Sequence, residues 1–279
     1  MREIDKYHIY FIGNDMNKIA ILYICTGRYK IFFPGFYHSA EKYLLIDDNF
    51  QKEYFVWTDD LSLSVEKNVH LMFKKSEGFP ADSLFRFEMF LQAEEELKKF
   101  DYIYFFNANA KILRPIGTEI LPDESGLAIG IWPGKREQQH PVFFPYERNP
   151  RSLAYVAPFE GNYTYFMGGL NGGTSEAYLS MIHTLHHNIR DDYKRGIIAK
   201  VHDESHINAY LRHHKCKKIG REYCIPEEWI TENDCPKNIF RNKVLIDPYF
   251  NKGRKSTVFA RVRKGCSILV DCIRWYLKI

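Results

Sequence analysis

The chain has 279 residues, enough for one sizeable domain or two small ones, and at 45% hydrophobic and 16% aromatic it can build a real core. A formal net charge of +4 is weak and makes no case for nucleic-acid binding. The six cysteines (Cys25, Cys216, Cys224, Cys235, Cys266 and Cys272) form no C-x-x-C pair and no zinc-type spacing, so scattered thiols point to a reducing, cytoplasmic setting.

Residues 1–18 read as an appendage. Their sequence, MREIDKYHIYFIGNDMNK, carries charges where a secretory leader would be apolar. IAILYIC (19–25) is a buried strand, a helix is expected across 34–45, and EYFVW (53–57) and VHLMF (69–73) are further strands. Asp82 or Ser83 is positioned to cap a helix running to about Lys99. YIYFF (102–106) and LAIGIW (127–132) continue the strands. The glycine-rich GGLNGGT (168–174) precedes a helix over 175–190, and HDESHINAYL (202–211) is helical. No apolar run is long and uncharged enough to span a bilayer. The β-α-β alternation predicts a single α/β domain with a mostly parallel central sheet covered by helices.

Four stretches carry polar chemistry. ICTGRY (24–29) is a strand end with a turn at Gly27. FNANA (106–110) ends an apolar strand abruptly, where ligands of open α/β sheets bind. FMGGLNGG (166–173) has four glycines that allow close backbone approach. HDESHINAYL holds two acids and two histidines within five residues. His202 and His206 share a helical face, but Asp203 stands where a zinc protease needs Glu, so zinc hydrolysis is a minor alternative.

In combination these stretches are more specific. YFVWTDD, FFNANA, YERNPRSLAYV (146–156), YFMGGLNGG and HDESHINAYL, in this order and spacing, resemble glycosyltransferase family six, the family of the blood group A/B transferases and the α-1,3-galactosyltransferase. The resemblance covers about residues 19–230. It implies a GT-A type fold, a Rossmann-like nucleotide-sugar-binding domain over 19–250, and retaining transfer of GalNAc or Gal from a UDP-sugar to the 3-OH of a β-galactoside. The acceptor would be a glycan, fucosylated or lipid-linked among the options. By the same resemblance Ile24, Cys25, Thr26 and Tyr29 line a uridine pocket, with Phe79 as a pocket aromatic. Arg86 reaches the donor, Met167, Gly168 and Gly169 select the donor sugar, and Asp203 holds its hydroxyls. Glu204 stands beside the anomeric carbon. Trp132, Pro133 and His202 belong to the acceptor side. A non-catalytic sugar- or nucleotide-binding descendant of a transferase is the alternative.

Asn107-Ala108-Asn109 occupies the frame where many sugar-nucleotide enzymes carry Asp-x-Asp. Hard cations prefer carboxylates, and bacterial members of the resembled family carry Asn-x-Asn, so the expectation is a site working without a divalent metal or other cofactor. The charge of the leaving UDP would then fall to cations, with NKGRKSTVFARVRK (251–264) as the matching basic tail or else a merely solvated one. From about Val258 the chain reads as a helix with one narrow polar stripe, which fits either an anionic inner membrane surface or docking on the protein's own core.

Overall fold

The computed structural model describes residues 16–47, 49–134, 140–161, 163–245 and, near the end of the chain, 267, 269–270 and 272–277. Both the 1–18 appendage, apart from its last three residues, and the basic tail over 251–264 lie outside the described residues.

Strand β1 (Asn17–Ile24) is followed by helix α1 (Phe33–Tyr43), β2 (Phe50–Thr58) and β3 (Val69–Phe73). Short helices α2 (Ala81–Leu84), α3 (Arg86–Leu91) and α4 (Glu94–Leu97) lead to β4 (Tyr102–Phe106), β5 (Ala110–Ile112) and β6 (Leu127–Ile131). Then come β7 (Phe166–Thr174), α5 (Ser175–Lys194), α6 (His202–Tyr210), β8 (Lys217–Ile219), β9 (Ile225–Pro226) and β10 (Asn238–Phe240). The main sheet has the order β3-β2-β1-β4-β7-β6-β8, and β5-β10-β9 form a small second sheet. The pairs β1–β2, β2–β3, β1–β4 and β6–β8 are parallel, whereas β7 runs antiparallel to β4 and β6. This is the mostly parallel α/β sheet that the alternation predicts.

Alternate residues of β1 serve opposite layers, as strand geometry requires. Ile21 and Tyr23 pack with Phe33, Phe36 and Phe106 under α1. Ala20 and Leu22 pack with Trp57, Phe87, Phe90 and Ile182 beneath α3 and α5.

Two expectations are corrected. The single helix from Asp82 to Lys99 is instead broken into α2, α3 and α4, with Phe85 (φ −100°, ψ 17°) and Ala93 (φ −105°, ψ 14°) at the breaks. Asp82 does not cap it. Its carboxylate accepts from Thr26 Oγ1 (3.0 Å) and from the backbone of Glu77 and Gly78 (both 3.1 Å), closing the preceding loop. The glycine-rich stretch is a strand, β7, in the middle of the sheet. A Cβ on Gly172 would stand 2.5 Å from the Ile103 carbonyl oxygen, and one on Gly173 would stand 2.2 Å from that of Gly126. Those two glycines therefore serve close sheet packing rather than a ligand.

Phe106 of β4 faces Leu170 of β7, and just beyond it Asn107 N donates to Gly169 O at 2.8 Å. The start of β7 thus lies at the edge where the parallel strands β1, β2 and β4 end. Residues 140–161 and 163–165, between β6 and β7 in the chain, are pinned by two buried acids. Asp192 of α5 accepts from Ser152 Oγ (2.5 Å) and Leu153 N (3.0 Å), and Glu147 accepts from Asn149 N (2.7 Å) and Lys200 N (2.6 Å). Phe144, Tyr146, Val156 and Tyr165 form a third apolar cluster there. The helical residues 272–277 dock beside it: Trp275 is buried, its Nε1 donates to Val156 O at 2.6 Å, and its ring lies 5.0 Å from the Arg148 guanidinium. No helix among the described residues is long and apolar enough to cross a membrane.

Candidate active site

The site is built where the carboxyl ends of β1, β2 and β4 meet the first residues of β7 and the N-terminus of α6. At the end of β1, Gly27 turns with φ +57°, a conformation glycine tolerates, and its N–H points at the Asp59 carboxylate (3.1 and 3.2 Å). Ile24 and Tyr29 are half-buried, and Thr26 is held by Asp82. Cys25 is wholly buried in the core and burial pushes its thiol up to about 12, so it offers a ligand its backbone, not its sulfur.

Arg86 of α3 is buried with its guanidinium 4.5 Å from the Phe105 ring and 5.0 Å from that of Phe87. Nη1 donates to Gly168 O at 2.9 Å, and Nη2 stands 2.8 Å from Asp203 Oδ2. That charge contact lacks hydrogen-bond alignment, and Nε has no partner, so two donor groups of a buried cation remain unspent. Asn171 Nδ2 also donates to Gly168 O (2.9 Å), and Tyr178 fixes Asn171 from behind (2.7 Å). A Cβ on Gly168 would stand 3.2 Å from Asp203 Oδ2 and 3.3 Å from Arg86 Nη2, so a side chain there would press on the ion pair.

Asp203 and Glu204 occupy the first turn of α6, where free N–H groups favour negative charge. Glu204 accepts from Tyr165 Oη at Oε1 and from Gly168 N at Oε2, both at 2.7 Å. Asn208, one turn on, clamps α6 to β7 by accepting from Phe166 N (2.9 Å) and donating to Phe166 O (2.8 Å). Burial raises the Asp203 carboxyl against the pull of Arg86. Burial also lifts Glu204 to about 7, with the Gly168 N–H and the Tyr165 hydroxyl opposing it. Such a carboxylate, oriented by two donors and poised near neutrality, can face a developing positive charge.

The two carboxamides are tied to each other. Asn107 Nδ2 donates to Asn109 Oδ1 (2.8 Å), Asn109 Nδ2 donates to Arg241 O (2.6 Å), and Arg241 N returns a bond to Asn109 O (2.6 Å). Tyr23 Oη donates to Ala108 O between them. Asn109 both accepts and donates through one side chain, which a carboxylate cannot do. From this latch Arg241 reaches over Phe32 (6.0 Å to the ring) and Lys243 over Tyr29 (5.7 Å). Among the described residues no three His, Cys, Asp or Glu side chains converge.

Met167 is buried, and a Cβ on Gly169 would meet Met167 Cε at 3.0 Å and the Phe240 ring at 3.1 Å. Trp132 packs edge-on against Trp229 (5.5 Å, 80°), and Pro133 O accepts from Arg221 Nη1 (2.9 Å). His202 takes φ +51°, an unusual strain for a non-glycine residue, and its ring lies 4.9 Å from that of the exposed Phe79. His206 is buried 3.7 Å from Asp192, with burial depressing it to about 4, so the two histidines face separate surroundings.

The fold therefore brings Arg86, Gly168, Asp203 and Glu204 into one cluster, Asn107, Asn109 and Gly169 into a second, and places Trp132 and His202 each against an aromatic ring. Sequence reasoning missed Trp229 and Arg241 and gave no role to Tyr165, Asn171 and Asn208, which lay within the quoted YFMGGLNGG and HDESHINAYL. Asp59 lay within the quoted YFVWTDD without a role. Tyr165 could have been found from its place directly before the glycine-rich stretch; Arg241 carried no local signal.

Because Glu204 holds its proton more tightly in the folded protein than its ordinary value of 4.5, the native state binds more protons between about pH 4.5 and 7, and stability falls as pH rises through that window. The cost above pH 7 is about 3 kcal/mol at most. Glu204→Gln is expected to flatten this part of the curve and to be more stable than wild type at pH 8, as read from urea midpoints across pH. An unchanged pH slope in the Gln variant would count against the poised carboxyl.

Comparison with known proteins agrees with this geometry. The model of glycosyltransferase family 6 matches residues 9–244. The chain is 34% identical over 235 residues to the Escherichia coli O-antigen biosynthesis glycosyltransferase WbnI, covering 84% of this chain and 98% of that one. It is 29% identical to the rat histo-blood group ABO system transferase 1, covering 72% of this chain and 58% of the rat protein. It is 28% identical to the chicken globoside alpha-1,3-N-acetylgalactosaminyltransferase 1, over 80% of this chain and 64% of the relative. The chain belongs to glycosyltransferase family 6.

Proposed function

We propose that this glycosyltransferase moves GalNAc, or less readily Gal, from a UDP-sugar to the 3-OH of a β-galactoside, with retention and without a divalent metal. The observation that carries the reading is the Glu204 carboxylate, gripped by Tyr165 and Gly168 N–H beside the buried Arg86–Asp203 pair. Cleavage of a sugar–phosphate bond builds oxocarbenium character at the anomeric carbon. Ionised Glu204 stabilises that charge from the opposite face, or attacks it to give a covalent intermediate. Asp203 and the unspent donors of Arg86 are suited to the donor hydroxyls. The aromatic faces of Trp132, Trp229 and His202 suit an acceptor sugar ring.

The leaving UDP needs positive charge. The Asn107–Asn109 pair does not fit a hard cation: neutral amides, with Asn109 Oδ1 already accepting from Asn107 and Asn109 Nδ2 donating to Arg241 O, offer little to Mn²⁺ or Mg²⁺. Arg241, over Phe32, and Lys243, over the expected uridine-pocket residue Tyr29, are the described cations suited to that task, while the basic 251–264 segment lies outside the described residues. A cytoplasmic location agrees with the free thiols of the described cysteines.

An assay of UDP-sugars with a lactose-type acceptor tests the reading. Transfer is expected to survive EDTA and gain little from Mn²⁺; a large loss on chelation, restored by Mn²⁺, would refute metal independence. Asn109→Asp should weaken transfer and stability together by placing a carboxylate against the Arg241 carbonyl, at a stability cost of about 1–3 kcal/mol.

Glu204→Gln is expected to lower turnover roughly a hundredfold or more while UDP affinity is nearly unchanged, measured by initial rates and calorimetry. Near wild-type turnover would remove the assigned role.

UDP-GalNAc should have the higher kcat/KM, the preference expected from a glycine at position 169, with the space beside its Cα filled by Met167 Cε and the Phe240 ring rather than open. Gly169→Ala should shift preference towards Gal, with Phe240 and Met167 yielding to the new methyl.

A further inference from the structure

Glu204 is half-exposed, whereas Tyr165, which donates to it, is only 3% exposed. A sugar that reaches the carboxylate therefore does not reach the tyrosine. Apolar packing does not call for the Tyr165 hydroxyl. The ring stacks on Phe144 (5.9 Å, 18°) and tilts against Tyr146 (5.4 Å, 52°), contacts that phenylalanine would make as well. A buried hydroxyl is costly unless it is bonded. The neighbouring Tyr146 satisfies its hydroxyl on the main chain, at Thr164 O (2.7 Å), whereas Tyr165 satisfies its own on Glu204 Oε1 (2.7 Å).

The Tyr165 hydroxyl is also aimed. Trp132 N, just past β6, donates to Tyr165 O at 2.9 Å. Asn208 of α6 holds both main-chain groups of Phe166, at 2.9 and 2.8 Å. Burial and the nearby Glu204 charge push the hydroxyl well above its ordinary value, so it remains a donor at working pH. The charged groups that face Glu204 are Asp203 on its own helix and Arg86 from α3, which pair with each other. The ring of His202 lies against Phe79, and His206 lies 3.7 Å from Asp192. Burial and Asp203 favour the neutral Glu204; the Gly168 N–H, the Tyr165 hydroxyl and Arg86 favour the charged one. Of these three, the Tyr165 hydroxyl is the one that a substitution removes without disturbing the backbone or an ion pair.

We propose that Tyr165 is a positioning residue for the transfer: its hydroxyl fixes Glu204 Oε1 and favours the charged carboxylate, from a depth at which the ring meets no substrate. The role rests on Glu204 being the group that faces the anomeric carbon.

Tyr165→Phe removes one oxygen and keeps the packing. The kcat–pH profile of the wild type should fall on its acid side as Glu204 takes up a proton. In Tyr165→Phe that limb should move to higher pH by about one unit, the shift that follows from losing a hydrogen bond to a charged group. Turnover at pH 7 should fall about fivefold and recover by about pH 9, with KM for both substrates nearly unchanged. A carbon-13 NMR titration of the Glu204 carboxyl, assigned by the signal lost in Glu204→Gln, reads the same ionisation without turnover. An unmoved titration would overturn the proposal and leave the role of Glu204 standing. So would a loss of turnover equal at every pH, which marks a merely structural tyrosine. A titration that moves while the kcat limb stays would take Glu204 out of the chemistry, and the proposal with it. If Tyr165→Phe lowers the thermal midpoint sharply, 3-fluorotyrosine incorporated in place of Tyr165 keeps the ring and makes the hydroxyl a stronger donor. It should move the titration to lower pH, and no movement there would overturn the proposal.

Discussion

The site hangs on one buried cation. The Arg86 guanidinium, sandwiched near Phe105 and Phe87, binds the Gly168 carbonyl of β7 and stands against Asp203 of α6. Three elements distant in sequence are joined by this one planar group. Removing one partner of such a pair strands the other charge in the interior at about 3–5 kcal/mol, so the arrangement is held in all-or-none fashion. Nε and Nη2 are buried without an aligned hydrogen-bond partner, Nη2 being held by its charge contact with Asp203 at 2.8 Å. The same constraint bears on Gly168, since a side chain there would press on the Asp203–Arg86 pair.

Glu204 is set by a second balance. Burial raises its carboxyl, and two donors at 2.7 Å pull it back towards ionisation. A carboxylate stripped of water but supplied with fixed donors is costly to fold and well prepared to face positive charge, the usual trade between stability and function at reactive centres. Asn208 keeps this balance in place by tying α6 to Phe166.

The Asn-Ala-Asn turn has a structural task of its own. With amides at both positions, one side chain accepts from its neighbour and donates onward to the Arg241 carbonyl. The turn then anchors the strand-end to the segment carrying Arg241 and Lys243, which lies across Phe32 and Tyr29. Cations are thereby held near the place where the family's expected uridine-binding residues lie.

The sequence by itself determined the parallel core. VHLMF became β3, a partly exposed edge strand, residue for residue; EYFVW and YIYFF lie in β2 and β4, and IAILYIC in β1 but for Cys25, because a buried strand must be apolar on both faces and local composition reports that directly for those three. It also marked four polar stretches, around the ends of β1 and β4, the start of β7 and the first turn of α6, that the fold brings to one edge of the sheet. Tertiary structure alone decided the rest. GGLNGGT is a central strand despite poor strand propensity, because neighbouring backbones approach too closely for any Cβ. Much of YERNPRSLAYV proved to be scaffolding, with Glu147 and Ser152 pinning the segment between β6 and β7 to Lys200 and Asp192. Tyr165 on Glu204, Arg241 on Asn109 and Trp229 on Trp132 are pairs separated by tens of residues or more, with no periodicity to announce them. A hydrogen bond depends on where two groups meet in space, and only the folded chain fixes that.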